Sequence, residues 1–241
     1  MLKHPLPMKT IFRHCYLVNF AVEPEALQRL LPSPLEVDQH EGKAYVSIVL
    51  ANMEKMRPAF LPRIFGVTYN QVVYRAVVRC QGKRGVFFLR SDADNCLMVW
   101  LGDALTFFRF HYSRIRWELM GEGEGEARIR LESEPSGRAD IRAHFISSAN
   151  PRTLPGSSRF ADAKAAKDFL VELYSAFAVD SKGRPTEVKI ERTDWELWQV
   201  EDQTAFYPFM QGEGPFKAGE AVIDSIFYVR DLPYHWLALQ R

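Results

Sequence analysis

The chain has 241 residues, of which 47% are hydrophobic, 25% charged and 13% aromatic, and its 31 Lys and Arg almost cancel its 30 Asp and Glu. A globular chain of this size buries about three quarters of its unfolded surface, enough for one large domain or two small ones. The apolar fraction and near-zero net charge exclude wholesale disorder, and the balance excludes a nucleic-acid binder acting through bulk charge.

Within the first thirty residues, charges or prolines recur every few positions, leaving neither a signal-peptide core nor the ~20 apolar residues of a membrane span. Cys15, Cys80 and Cys96 are odd in number, far apart and without zinc-ligand spacing. A reducing, cytoplasmic setting is therefore expected, with no metal and no membrane partner. Glu23–Leu31 predicts a short helix, started by Pro24 and stopped by Pro32.

Strand-length apolar or alternating runs then follow at Ala44–Leu50, Val67–Val78, Gly85–Leu89, Leu97–Leu101, Phe107–Trp117, Ala127–Leu131 and Ile141–Ile146, after an earlier one at Cys15–Phe20. Turn signals separate them at Glu41-Gly42, Gln81-Gly82-Lys83, Asp92–Asn95, Gly121–Gly125 and Pro135-Ser136-Gly137. Short strands with close turns predict an antiparallel meander closing toward a barrel or sandwich. Ser157 and Ser158 stand as N-cap candidates before a longer helix, Phe160–Ala178, in which Phe169, Leu170, Leu173, Tyr174 and Phe177 form one apolar face. Two more strand-like pieces end the chain, Val188–Arg192 and Ala221–Val229. The Ser- and Pro-rich Ser147–Ser158 leads into the helix, so residues 1–241 are read as a single domain.

Familiar catalytic patterns are missing: the sequence holds no GxGxxG, GxxxxGK[ST], HExxH or GxSxG, and no two of its six histidines are four residues apart. Charge is unevenly placed, since Arg63–Arg116 carries nine Lys and Arg against three Asp and Glu. In the first of two arginine-bearing strands there, Tyr69, Gln71, Val73 and Arg75 share one face. Such a row is ordinary for a solvated face and is equally the polar wall of a binding cavity. In the second, Arg109, His111 and Ser113 share a face opposite Phe108, Phe110 and Tyr112. The general exposure of Arg favours an outer polar face over an aromatic core. The alternative places Arg109 and His111 in a barrel mouth, holding a carboxylate or enolate.

These residues carry a resemblance. Leu30-Leu31-Pro32, Leu35–Asp38 and Gly42–Val46 are similar to the opening "llP…l..D…G.ayV" of the YqjF-like family of uncharacterised bacterial proteins. Tyr69–Arg75 with Gly85–Asp94 is similar to its "F.ElNvRtYV…GvyFfSLDad" block, and Gly102–Ile115 to "ARalFgLPYy.Arm". Phe169–Tyr174 and Asp194–Leu197 match "fL.ERY.lY" and "PW.L". The likeness covers nearly the whole chain and implies a β-rich α+β fold of the acetoacetate decarboxylase-like type. That is an antiparallel, cone-like β-barrel with a central cavity, here with one long and one short helix.

Decarboxylase chemistry is not implied. Acetoacetate decarboxylase forms a Schiff base through a lysine in a "G.PKK" segment, whose pKa is lowered by apolar burial and a neighbouring cation. The matching stretch here is Phe108–His111, and no lysine lies between Arg84 and Lys164. The glutamate of "F.E" is Gln71, which is no acid or base, the "LPY" proline is Arg109, and Arg75 keeps the family's arginine. Three readings follow. The first is a cofactor-free protein binding a small anionic molecule through Tyr69, Gln71, Arg75, Arg109 and His111. The second is an enzyme acting on a carbonyl compound, with His111 as acid/base and Arg75 and Arg109 holding an oxyanion. The third is a homo-oligomeric scaffold paired through Phe206–Phe209.

Overall fold

A computed structural model describes residues 6–106, 108, 110–120, 127–133, 141–148, 152–193 and 195–239. In chain order it runs β1 (Met8–Val22), α1 (Pro24–Gln28), β2 (Glu36–Val37), β3 (Gln39–His40), β4 (Lys43–Pro58), β5 (Val67–Cys80), β6 (Lys83–Ala93) and α2 (Cys96–Leu105). Then follow β7 (Phe110–Leu119), β8 (Ala127–Ser133), β9 (Ile141–Ser147), α3 (Ala163–Leu170), β10 (Ser175–Val179), β11 (Pro185–Arg192), β12 (Trp198–Asp202) and β13 (Ala221–Trp236). Two predicted hairpin turns are made as expected. Glu41-Gly42 and Gln81-Gly82 have φ of 47° and 74°, and of 51° and 80°, the left-handed pairs that suit the twist of two-residue hairpins.

The strand pairings close on themselves twice. One circuit runs β13-β1-β4-β5-β6-β7-β8-β9-β12 and returns to β13; the other leaves β6 for β10 and β11 before returning to β13. Both share the five-strand wall β13-β1-β4-β5-β6, which therefore has a core on each side. On β1, Tyr16, Val18, Phe20 and Val22 enter one core while Cys15, Leu17 and Ala21 enter the other. On β4, Val46, Ile48 and Leu50 divide from Tyr45, Val49 and Ala51 in the same way. This double burial explains why these segments are almost continuously apolar instead of alternating. The pairing is mixed rather than purely antiparallel, because β6 runs parallel to both β7 and β10.

One buried polar group at the centre of the wall, Asn19, is satisfied within it. Asn19 accepts from Ser47 Oγ at 2.7 Å and donates to Leu17 O and Ser225, tying β4, β1 and β13 at a register shift. The β6–β10 junction is held by close approach: a Cβ on Gly85 would lie 2.5 Å from Ser175 O and 2.6 Å from the Phe177 ring. Gly85→Ala is therefore expected to cost about 1–3 kcal/mol, read as a lowered urea midpoint. A wild-type midpoint would show that β10 can move aside freely.

Two predicted elements differ. Leu97–Leu101 was expected as a strand but lies in α2, whose N-cap Asn95 accepts from Met98 N. The long helix expected over Phe160–Ala178 is the eight-residue α3, capped by Asp162 accepting from Ala165 N and not by Ser157 or Ser158. Beyond it, Ser175–Val179 pairs with β11 and β6, so sheet pairing takes the residues that the apolar spacing assigned to a helix. The expected turns at Gly121–Gly125 and Pro135–Gly137 lie outside the described residues.

Candidate functional site

β5 places Tyr69, Gln71, Val73 and Arg75 on the side of the wall that faces α3, β10 and β11, while Val72, Tyr74 and Ala76 fill the opposite core. A cavity of about 60 Å³ opens on that side, bordered by Gln71, Val73 and Arg75 from β5 and by Cys15, Arg192 and Tyr234 from its neighbours. Its lining includes two guanidinium groups and no carboxylate.

Arg75 Nη2 donates to Leu170 O at 3.0 Å, but its buried Nε has no hydrogen-bond partner. Among the described residues no carboxylate pairs with it. Burial lowers its pKa, the nearby Tyr234 and Cys15 oppose that shift, and Arg192 adds to it. Arg192 is better housed, with a side chain only 3% exposed. It donates to Val171 O, stands 3.4 Å from Glu172 Oε2 and lies 4.8 Å from the centroids of both Tyr174 and Trp195. Lys167 Nζ is 3.8 Å from the other oxygen of Glu172, so that single carboxylate serves two cations. The cavity is thus left with excess positive charge in a poorly solvated place, where an uncompensated ion is costly.

The remaining groups are quiet. Burial pushes the Cys15 thiol up to about 12, against the pull of Arg75, which keeps it protonated and un-nucleophilic near neutrality. Burial likewise raises the Tyr234 and Tyr69 hydroxyls, with Asp94 adding to the effect at Tyr69. Gln71 is buried, donates to Ser91 Oγ at 2.8 Å and accepts from Tyr69 OH at 3.2 Å. Cys15, Cys80 and Cys96 are free. Among the described residues no His, Cys, Asp and Glu cluster could hold a metal, and no helix is long and apolar enough to cross a membrane.

Tyr69, Gln71 and Arg75 therefore share one face, as their period-two spacing predicts, and that face lies inward. His111 does not join them: it is exposed and outside the cavity lining. The register gives the reason. β7 runs beside β6 with Phe110 opposite Ser91 and His111 opposite Asp92. Ser91 is on the Gln71 side and Asp92 on the other, so Phe110 turns toward the cavity side and His111 away. The polar-outside, aromatic-inside arrangement does not hold along β7: Ser113 and Ile115, on the face of His111, are buried, whereas Tyr112, on the face of Phe110, is exposed. Arg109 lies outside the described residues. Sequence reasoning missed Arg192, Tyr234 and Trp236. Val188, Ile190 and Arg192 alternate inward on β11, so an arginine at the buried parity was the available signal.

Comparisons with known proteins agree with this architecture. Uncharacterized protein YqjF of Bacillus subtilis (strain 168) is 29% identical over 149 residues, 61% of this chain and 59% of that protein. The chain thus matches well under two thirds of that relative's length. Among solved structures, the enduracididine biosynthesis enzyme MppR complexed with pyruvate is 14% identical with a TM-score of 0.60, over 98% of this chain and 89% of that one. Acetoacetate decarboxylase from Legionella pneumophila subsp. pneumophila str. Philadelphia 1 is 16% identical, also at TM-score 0.60, over 98% and 87%. At these identities the likeness shows a shared fold alone, the β-rich one of acetoacetate decarboxylase-like proteins. A family model matches residues 10–214, and the chain belongs to the DUF2071 family of uncharacterized conserved proteins.

Proposed function

We propose that the whole chain, as one barrel-like domain, binds a small carboxylate- or carbonyl-bearing anion in the cavity beside Arg75, without Schiff-base chemistry. The observation that carries this reading is a buried guanidinium that borders the cavity, lacks a carboxylate partner and keeps one N–H unmade. An anion accepting from Nε would complete that hydrogen bond and neutralise the excess charge at once. A Schiff base needs an amine, and neither the lining nor the stretch from Arg84 to Lys164 contains a lysine between its ends. Pyruvate, bound by a fold neighbour, belongs to the class expected here. Gln71 borders the same cavity, whereas Tyr69 does not reach its lining and instead hydrogen-bonds Gln71; neither supplies an acid or base.

The test is calorimetric titration and thermal shift with acetate, pyruvate and benzoate against acetamide and benzamide, for wild type and Arg75→Met. Wild type is expected to be stabilised by carboxylates only, and the variant by none. Carboxylates that leave the wild-type melting curve unmoved, or that stabilise Arg75→Met equally, would refute the assignment.

A further inference from the structure

A second hollow adjoins the first. It measures about 310 Å³ and its lining includes Met56, Met98, Leu101, Leu105, Phe108 and Phe110. Gln71, Phe88 and Trp236 border both spaces. Three polar side chains of the larger chamber, Tyr69, Gln71 and Thr106, have hydrogen bonds made already. Tyr69 OH is held by Gln71, Gln71 by Ser91, and Thr106 Oγ1 by Gly102 O at 2.6 Å. That chamber therefore offers burial and few free directed contacts, whereas the smaller cavity offers cationic donors. Its methionines are unbranched and adaptable, which suits a flexible chain better than one rigid outline.

From this juxtaposition we propose that the ligand is an amphipathic carboxylate, with its head at Arg75 and Arg192 and an apolar tail running past Gln71 into the chamber lined by α2 and the start of β7. This deepens, and rests on, the anion-binding reading. At about 30 Å³ per non-hydrogen atom, the chamber takes a tail of on the order of ten atoms. Two-carbon acids such as acetate would leave it unused.

The experiment is calorimetric titration of the full chain with straight-chain acids from acetate to decanoate, below their aggregation concentrations, with decanol and decylamine as controls. Affinity is expected to rise roughly threefold to fourfold per methylene until the chamber fills, and both controls to bind at least tenfold more weakly than decanoate. Leu105→Trp, which reduces the chamber from the end of α2, is expected to lower the decanoate-to-propionate affinity ratio at least tenfold. Should that variant fail to fold, the wild-type chain-length series decides alone. Acids that bind with the same affinity at every length would overturn this inference and leave the anion site standing. Decanol binding as tightly as decanoate would overturn it too, since the head would then be irrelevant. No binding by any acid would sink both readings together.

Discussion

Asp92→Ala is expected to lower the stability of the chain by about 3–5 kcal/mol, because it strands a buried cation. Asp92 is fully buried on β6. It accepts two parallel hydrogen bonds from Arg90, Nε to Oδ2 and Nη2 to Oδ1, both at 2.8 Å, and a third from Ser113 Oγ on β7 at 2.8 Å. Burial alone would lower the Arg90 pKa; the hydrogen bonds and charge of Asp92 outweigh it and hold it above its ordinary value. Removing the carboxylate leaves Arg90, 16% exposed at its side chain, without an anion, and leaves the buried Ser113 hydroxyl without an acceptor.

The position makes the loss consequential. β6 meets β7 over only three register pairs, Ser91–Ala93 with Phe110–Tyr112, and this contact closes the longer circuit. Against a typical total of 5–15 kcal/mol, the expected loss leaves a marginal fold. Urea unfolding should show it directly. The double variant Asp92→Ala with Arg90→Met should recover much of it, since exchanging a buried ion pair for apolar groups is often neutral or better. A single variant within about 1 kcal/mol of wild type would mean that water reaches Arg90 and the pair carries little.

How much of this was legible in the sequence depends on which strand is considered. On β5 the shared face of Tyr69, Gln71 and Arg75 could be read from their period-two spacing, but whether that face met solvent or a cavity could not, since both leave the same polar row. On β7 the same rule gave two faces without saying which was inner. Only the pairing of Phe110 with Ser91 decides it, and that is a long-range fact. Arg192 was harder still, since it reaches the cavity of Arg75 only through the second circuit, after α3 and β10 have crossed over the wall. The helix predicted over Phe160–Ala178 failed for a related reason. Phe177 fits an apolar helical face by spacing, but its pairing with Phe87 and Glu187 places it in the sheet. α2 was missed because Leu97, Met98, Val99, Trp100 and Leu101 form an unbroken apolar run, in which no polar face betrays the helical period.

Arg75→Met is expected to act in the opposite direction on stability from Asp92→Ala, and the contrast separates a binding charge from a structural one. Both arginines are partly buried on neighbouring strands of the shared wall, but Arg90 has its carboxylate and Arg75 does not. Replacing Arg75 with a side chain of similar length removes an uncompensated ion and relieves Arg192 of a like charge, a gain of the order seen when buried ions are exchanged for apolar groups. Against this stands the loss of the bond to Leu170 O. The balance is a net gain of roughly 1–2 kcal/mol, or a melting temperature a few degrees higher in the ligand-free protein. Binding should vanish in the same variant. A stable protein that no longer answers to carboxylates is the signature of a group retained for its ligand at a cost to the fold. The melting curves should be recorded at low ionic strength, where no bulk anion can stand in for the ligand. A variant that melts below wild type by more than about 2 kcal/mol would place Arg75 among the residues that hold the wall together, with its charge already answered inside the protein.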